Sequence, residues 1–161
     1  MVPFVVAGVL WQRDRRRWVA FVRRFVTVSF LAAAVFVVFP TAPPWLAAHE
    51  GFIGPVSRTS VRGWSLLHLE VAGRLLDRGQ RWSNLVAAVP SLHAGYAFLV
   101  AVTAWTRARP WLRAVVATYA VAMGAALVVT GEHYVADVLA GWAAVGLACL
   151  GWSRWERRTV R

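Results

Sequence analysis

The sequence predicts an all-α fold: a polytopic transmembrane helix bundle with an extracytoplasmic amphipathic helix. Three observations carry this prediction. Hydrophobic residues make up 59% of the 161 residues and charged residues only 16%, too apolar for a soluble domain of this length. The apolar residues run on without period-2 alternation, and in lipid the helix is the open-ended element that satisfies its own backbone. Every basic residue is arginine, and most arginines fall in blocks between the apolar runs.

Taken in chain order, the first element is the weakest. Val2 to Leu10 is apolar but gives only about 15 Å of helix against a hydrocarbon core of about 30 Å. Its positive charges follow the apolar run instead of preceding it, unlike a signal peptide. It reads as the inner half of a spanning helix that starts upstream of this chain, or else as a short interfacial lead-in. Residues 18–39 are the first full span. Phe39-Pro40-Thr41-Ala42-Pro43-Pro44-Trp45 then ends the helix through its prolines, and the tryptophan suits the headgroup layer.

Within segment 40–84, Trp64, Leu67, Val71 and Leu75 recur at helical spacing, while Glu70 with Arg74 and Asp77 with Arg81 form i,i+4 pairs on the polar side. This is the amphipathic helix, lying on the membrane surface. The next span is assigned to 85–106. Its apolar part from Leu92 is short, so it is completed by the run Leu85 to Pro90 or is tilted or sunk against its neighbours. Spans at 111–130 and 133–152 complete one membrane-embedded domain over 1–161. They carry small residues at every fourth position, Ala114, Thr118, Ala122, Ala126 and Thr130 in one and Ala136, Ala140, Ala144 and Ala148 in the other, a pattern that lets helices approach closely in lipid.

A net charge of +11 would suggest a nucleic-acid partner in a soluble protein, but here the positions of the charges decide. Arg13, Arg15, Arg16, Arg17, Arg23 and Arg24 form one block, Arg107, Arg109 and Arg113 a second, and Arg154, Arg157, Arg158 and Arg161 a third. If the spans alternate, all three face the cytoplasm, so the partner is the bilayer and not nucleic acid. The expected location is the plasma (inner) membrane, with the segment from Pro40 to Pro90 outside. Cys149 is the sole cysteine, which excludes an intrachain disulfide and suits packing within a span. The sequence sets no oligomeric state.

Ionisable groups inside spans are costly, roughly 2.5 to 3.5 kcal/mol for an aspartate at a helix centre, so His133 and Asp137 demand a reason. Their i,i+4 spacing predicts one helix face near the outer end of the last span. There the carboxylate can accept the imidazole Nδ1–H and leave Nε2 free to attack phosphorus. A second constellation is Val89-Pro90-Ser91-Leu92-His93-Ala94. Proline followed by serine marks a helix start, with Ser91 as cap, a phosphate seat at the N–H groups of the first turn, and His93 beside it. Alternation of the spans brings both motifs to the same outer level, where two histidines, a carboxylate and a helix N-terminus suit phosphoryl transfer through a phosphohistidine.

At this point the residues resemble a known group. Pro90-Ser91-Leu92-His93 is similar to the second signature, and His133-Tyr134-Val135-Ala136-Asp137 to the third, of the type-2 phosphatidic acid phosphatase superfamily. Ser-Leu-His-Ala, Gly-x-His-Tyr-x-x-Asp and Phe-Pro-Thr-Ala-Pro-Pro-Trp resemble most its inositolphosphotransferase-like branch, which includes inositol phosphorylceramide synthases. The resemblance spans roughly residues 18 to 152. It implies a division of labour: His133 attacks phosphorus, Asp137 orients it, His93 protonates the departing alkoxide, and water or an alcohol cleaves the phosphoenzyme without metal or other cofactor. The implied substrate is a lipid phosphate: phosphatidate, a polyprenyl phosphate or a phosphoinositol lipid.

The chain also departs from the family pattern. With no lysine it cannot contain the first signature, a lysine followed by an Arg-Pro pair, and Ala126 and Leu127 replace the Ser-Arg that often precedes the third. Transition-state charge needs a cationic clamp. The outer segment offers Arg58, Arg62, Arg74, Arg78 and Arg81, of which Arg58 and Arg62 are the first choices for substrate binding beside Ser91. His49, His68 and Glu132 read as interfacial polar residues. The competing reading is a non-catalytic membrane protein in which His93, His133 and Asp137 hold a metal or a headgroup.

Overall fold

The computed structural model of the chain describes residues 2–56, 58–59, 71, 86–106 and 108–159. Of the expected amphipathic helix only Val71 is among them, in helical conformation, so that helix and Arg62, His68, Arg74, Arg78 and Arg81 lie outside the described residues.

Asp14 divides the N-terminal apolar sequence into a helical hairpin of α1 (Val2–Arg13) and α2 (Arg15–Val38). Its backbone leaves the helical region, and its carboxylate accepts the Arg17 N–H at 3.0 Å, capping α2. The two arms run antiparallel, since Trp11 meets Trp18 with ring centroids 4.6 Å apart and Phe4 meets Phe25 at 6.0 Å. α2 gives way before Pro40, and Pro44 then opens the short helix α3 (Pro44–His49) from its first turn, so these prolines start an element as well as ending one.

Between α3 and the next long helix, Thr41 acts as a strap. Its N–H donates to the Val86 carbonyl at 2.7 Å, its carbonyl accepts the Ala88 N–H at 3.1 Å, and its hydroxyl accepts the Val89 N–H at 3.0 Å. Residues 86–91 are therefore held outside the helix, and the span assigned to 85–106 is helical only from Leu92: α4 is Leu92–Trp105. Two spans follow, α5 (Pro110–Val129) and α6 (Val135–Thr159). The chain is a multi-pass integral membrane protein in which α2, α5 and α6 are long and apolar enough to cross a bilayer.

The short helix is the hub. α4 packs against α1, α2, α5 and α6 and buries Ala94, Gly95, Ala97, Leu99, Val100 and Ala101. Of the two arrangements open to a short apolar stretch, it takes the sunken one. The arginine blocks gather at one end of the bundle: Arg17 of α2 donates to the Thr103 carbonyl of α4, Arg113 of α5 to the Trp105 carbonyl at 3.1 Å, and Arg24 lies 3.9 Å from Glu156 of α6.

The alanine stripes do not make the closest approaches. Ala114, Ala122 and Ala126 are exposed, whereas α5 buries Ala120 and Gly124. On α6 the packed face runs through Asp137, Gly141, Val145 and Ala148, so of its stripe only Ala148 is buried. Glycines decide where the backbones meet. A Cβ on Gly141 would overlap the Ser91 carbonyl oxygen, and one on Gly95 would stand 3.2 Å from the Gly141 oxygen. A Gly141→Ala substitution is expected to destabilise the protein by about 1–3 kcal/mol through overpacking. Gly146→Ala, whose Cβ meets nothing within 4 Å, is expected to be neutral or mildly stabilising. Unfolding of the two variants in the same detergent checks the contrast.

Candidate active site

α5 ends at Val129, and Gly131, with φ of 73°, takes the left-handed conformation that turns the chain back toward the bundle. His133 follows in this turn, outside the last helix, because α6 begins only at Val135. The expectation of a His/Asp pair on one helix face is therefore corrected. Only Asp137 is helical, in the first turn of α6, and the turn carries the imidazole over it.

The pair nevertheless meets. His133 Nδ1 lies 3.3 Å from Asp137 Oδ2, and the same oxygen accepts the Tyr134 N–H at 2.8 Å. A carboxylate in the first turn that reaches back to the N–H just before the helix is half of a capping box, and the positive end of the helix dipole favours its charge there. Such partners are what a carboxylate 1% exposed requires. As an ionised acceptor, Asp137 binds the Nδ1–H tautomer of His133, leaving Nε2 as the nitrogen with a free lone pair.

The second motif is held directly against the first. Ser91, fully buried, donates its N–H to the Asp137 carbonyl at 3.0 Å, and its Oγ accepts the Ala94 N–H at 3.4 Å as the cap of α4. Among the described residues the Leu92 and His93 N–H groups find no protein acceptor, which leaves the positive end of α4 open. The His93 side chain is exposed in the first turn of α4. Ser91, His133 and Asp137 are thus brought together, and His93 follows Ser91 by two positions.

Arg58 arrives from the segment between α3 and α4. Its Nε donates to Glu132 Oε1 at 2.7 Å, its guanidinium lies 4.9 Å from the Trp45 ring centroid, and the adjacent Thr59 N–H donates to the Thr130 carbonyl at 3.3 Å. The Trp45 N–H adds a 3.2 Å bond to the Gly131 carbonyl. A groove of about 450 Å³ opens beside this contact, lined by Trp45, Ala48, His49, Pro55, Val56 and Arg58. Glu132 is therefore more than an interfacial residue, being a mostly buried partner of Arg58, while His49 is exposed as expected. Thr41, Gly131 and Gly141 were not singled out for this role by sequence reasoning. The available signals were a glycine directly after a span and a glycine four residues beyond a buried aspartate. Among the described residues no group of three or more histidine, cysteine, aspartate or glutamate side chains could hold a metal ion.

A family model described as the PAP2 superfamily matches residues 1–151. The phosphoinositol dihydroceramide synthase of Bacteroides thetaiotaomicron is 31% identical over 162 aligned positions, covering 96% of this chain and 51% of that protein. The chain thus spans about half the length of this relative. No solved structure matches it.

The Arg58–Glu132 contact predicts energetic coupling between the outer segment and the His133 turn. With both side chains mostly buried, Arg58→Ala and Glu132→Ala should be non-additive, with an interaction energy on the order of 0.5–3 kcal/mol. A double-mutant cycle on unfolding in detergent measures it, and additive losses would show that the contact carries no strength.

Proposed function

The chain belongs to the PAP2 superfamily, and from that premise we propose that it is a lipid-phosphate phosphatase or phosphotransferase working through a phosphohistidine at the outer face of the plasma (inner) membrane. The observation that carries the reading is the His133–Asp137 pair held against the open N-terminus of α4, in whose first turn His93 lies.

In the proposed reaction the substrate phosphate sits at the first turn of α4, against the N–H groups of Leu92 and His93 and the helix dipole, with Arg58 supplying cationic charge from the outer segment. Arg62, assigned the same task from sequence, stays a proposal. The Nε2 lone pair of His133 attacks phosphorus and the bond to the lipid oxygen breaks. The departing alkoxide takes a proton from His93, while Asp137 stabilises the imidazolium through Nδ1–H. Water or an alcohol then attacks phosphorus and gives its proton to His93, and the P–N bond breaks to restore His133. Hydrolysis and transfer share the first half and differ only in the acceptor. The relative's name specifies transfer onto a dihydroceramide, and we propose the same class of reaction here, with a sphingoid or glycerol lipid alcohol as one partner. The scheme uses no metal.

Three outcomes are expected. With a lipid phosphate labelled on phosphorus and the enzyme in detergent, wild type should form an alkali-stable, acid-labile protein adduct and release product in excess EDTA. His133→Ala should do neither, and comparable turnover by that variant sinks the mechanism. Asp137→Asn should keep the fold but lose on the order of 10⁴-fold in kcat, the loss that reversal of a histidine tautomer causes in a comparable dyad. Sealed vesicles of known orientation test the side: a substrate that cannot cross should turn over only from the outer face.

A further inference from the structure

The chain between α3 and Arg58 has no part in this scheme, and its middle is apolar. Phe52 is 82% exposed, and Ile53 and Val56 are exposed after it. Gly51 to Val56 carries no charge and is exposed at every position. Facing water, such a tip would forgo the burial that large apolar side chains gain elsewhere.

The tip is fixed at its root. The N–H groups of Glu50, Gly51 and Phe52 donate to the carbonyls of Leu46, Ala48 and Ala47 at 3.0, 3.1 and 2.9 Å, and Gly51 supplies the left-handed residue, φ 79°, that closes α3 in this way. On both sides of the tip the chain is tied to the turn that follows α5. Before it, the Trp45 N–H meets the Gly131 carbonyl at 3.2 Å. After it, Arg58 meets Glu132 at 2.7 Å and the Thr59 N–H meets the Thr130 carbonyl at 3.3 Å.

These ties set its depth. α5 has 20 residues, about 30 Å of helix and the thickness of the hydrocarbon core, so the turn after it stands at the edge of the core. Ala47 lies two residues, about 3 Å, beyond Trp45 along α3, and Phe52 folds back onto its carbonyl. The Phe52 backbone therefore stays within about 8 Å of the Trp45 level whichever way α3 points. The headgroup layer extends about 5 to 7.5 Å beyond the core on each side. A tip rooted at that edge and not packed on the bundle meets lipid.

We propose that Phe52 and Ile53 form an insertion tip whose partner is the boundary between headgroups and acyl chains of bilayer phospholipid. The tip seats Trp45 and Arg58 at headgroup level, so that the groove of about 450 Å³ beside them opens within that layer. The inference is independent of the proposed chemistry and holds whether or not His133 is a nucleophile.

A probe at Gly54 tests it with both apolar side chains in place, because a Cβ there would meet nothing within 4 Å. Gly54→Cys in a Cys149→Ala background is labelled with nitrobenzoxadiazole and reconstituted in phosphatidylcholine vesicles. Iodide on both sides of the membrane quenches dye in water, and phosphatidylcholine with a nitroxide near the headgroup end of its chain quenches dye in the interface. The label should emit to the blue of the same dye on glutathione, be quenched by the nitroxide lipid and show an iodide slope severalfold below the glutathione adduct. Adding Phe52→Ser and Ile53→Ser together should return emission and iodide access toward those of the adduct. Iodide access equal to the adduct places the tip in water and overturns the proposal. Shielding from iodide and nitroxide alike also overturns it, since the tip is then covered by protein, either other residues of this chain or a second copy. Lipid contact that survives the two serines belongs to the dye and refutes the tip.

Discussion

Everything at the outer end of the bundle depends on one backbone contact, the Ser91 N–H to the Asp137 carbonyl. The carbonyl of a helical residue points along the axis at the N–H four positions on, here that of Gly141. A side chain at 141 would stand over that carbonyl and shut out a second donor. Glycine leaves the second lone pair open, and the start of α4 descends onto it until Ser91 lies against Gly141. The contact holds the open N–H groups of one helix beside the carboxylate of another, and in lipid an unsatisfied group on either side would cost several kcal/mol. Geometry at the site is fixed by backbone, leaving the side chains for chemistry.

The same economy is visible in Asp137. A carboxylate buried among apolar helices is tolerable only with its lone pairs occupied, and its acceptors are used by the Tyr134 N–H and the His133 ring. The first of these caps α6, so removing the side-chain acceptor would loosen the helix start and release His133 together. Structural and functional readings of a buried aspartate are often opposed, but here the cap and the orienting group are one oxygen.

What was legible in the sequence follows from the range of each interaction. The spans, the arginine-rich end, the Ser91 cap and the meeting of His133 with Asp137 are set by local composition and i,i+4 spacing, and these could be read directly. Tertiary hydrogen bonding was less accessible. The run before Leu92 is as apolar as a helix, yet Thr41, some fifty positions away, holds it out of the helix by hydrogen bonds, so the span begins later than its hydropathy suggests. His133 was placed on a helix because the spacing fits one, while Gly131, whose positive φ delays α6 to Val135, acts in the turn before it. Glu132 looked like a solvated charge until Arg58 came back to it from seventy-four positions earlier. Small residues at every fourth position were abundant enough to mark the wrong face. Only the glycines against Ser91 and Gly95 show which surfaces touch.

The shortness of α4 then becomes intelligible. Tyr96 is level with Ser29, and α2 continues outward from there. Counting four residues up each helix sets the start of α4 beside Ala33, so that Val38 at the end of α2 stands about 8 Å further out. A full-length helix would carry its N-terminus to the height of Val38 and present its N–H groups to bulk water, where anions are plentiful and the dipole is screened. A helix sunk among its neighbours instead presents those groups below the rim of the bundle, under the strap of Thr41 and α3. On the proposed function that is the depth at which a lipid's own phosphate lies, so substrate and nucleophile meet without the lipid leaving the bilayer. On that reading, the reaction sets the length of the helix too short to span.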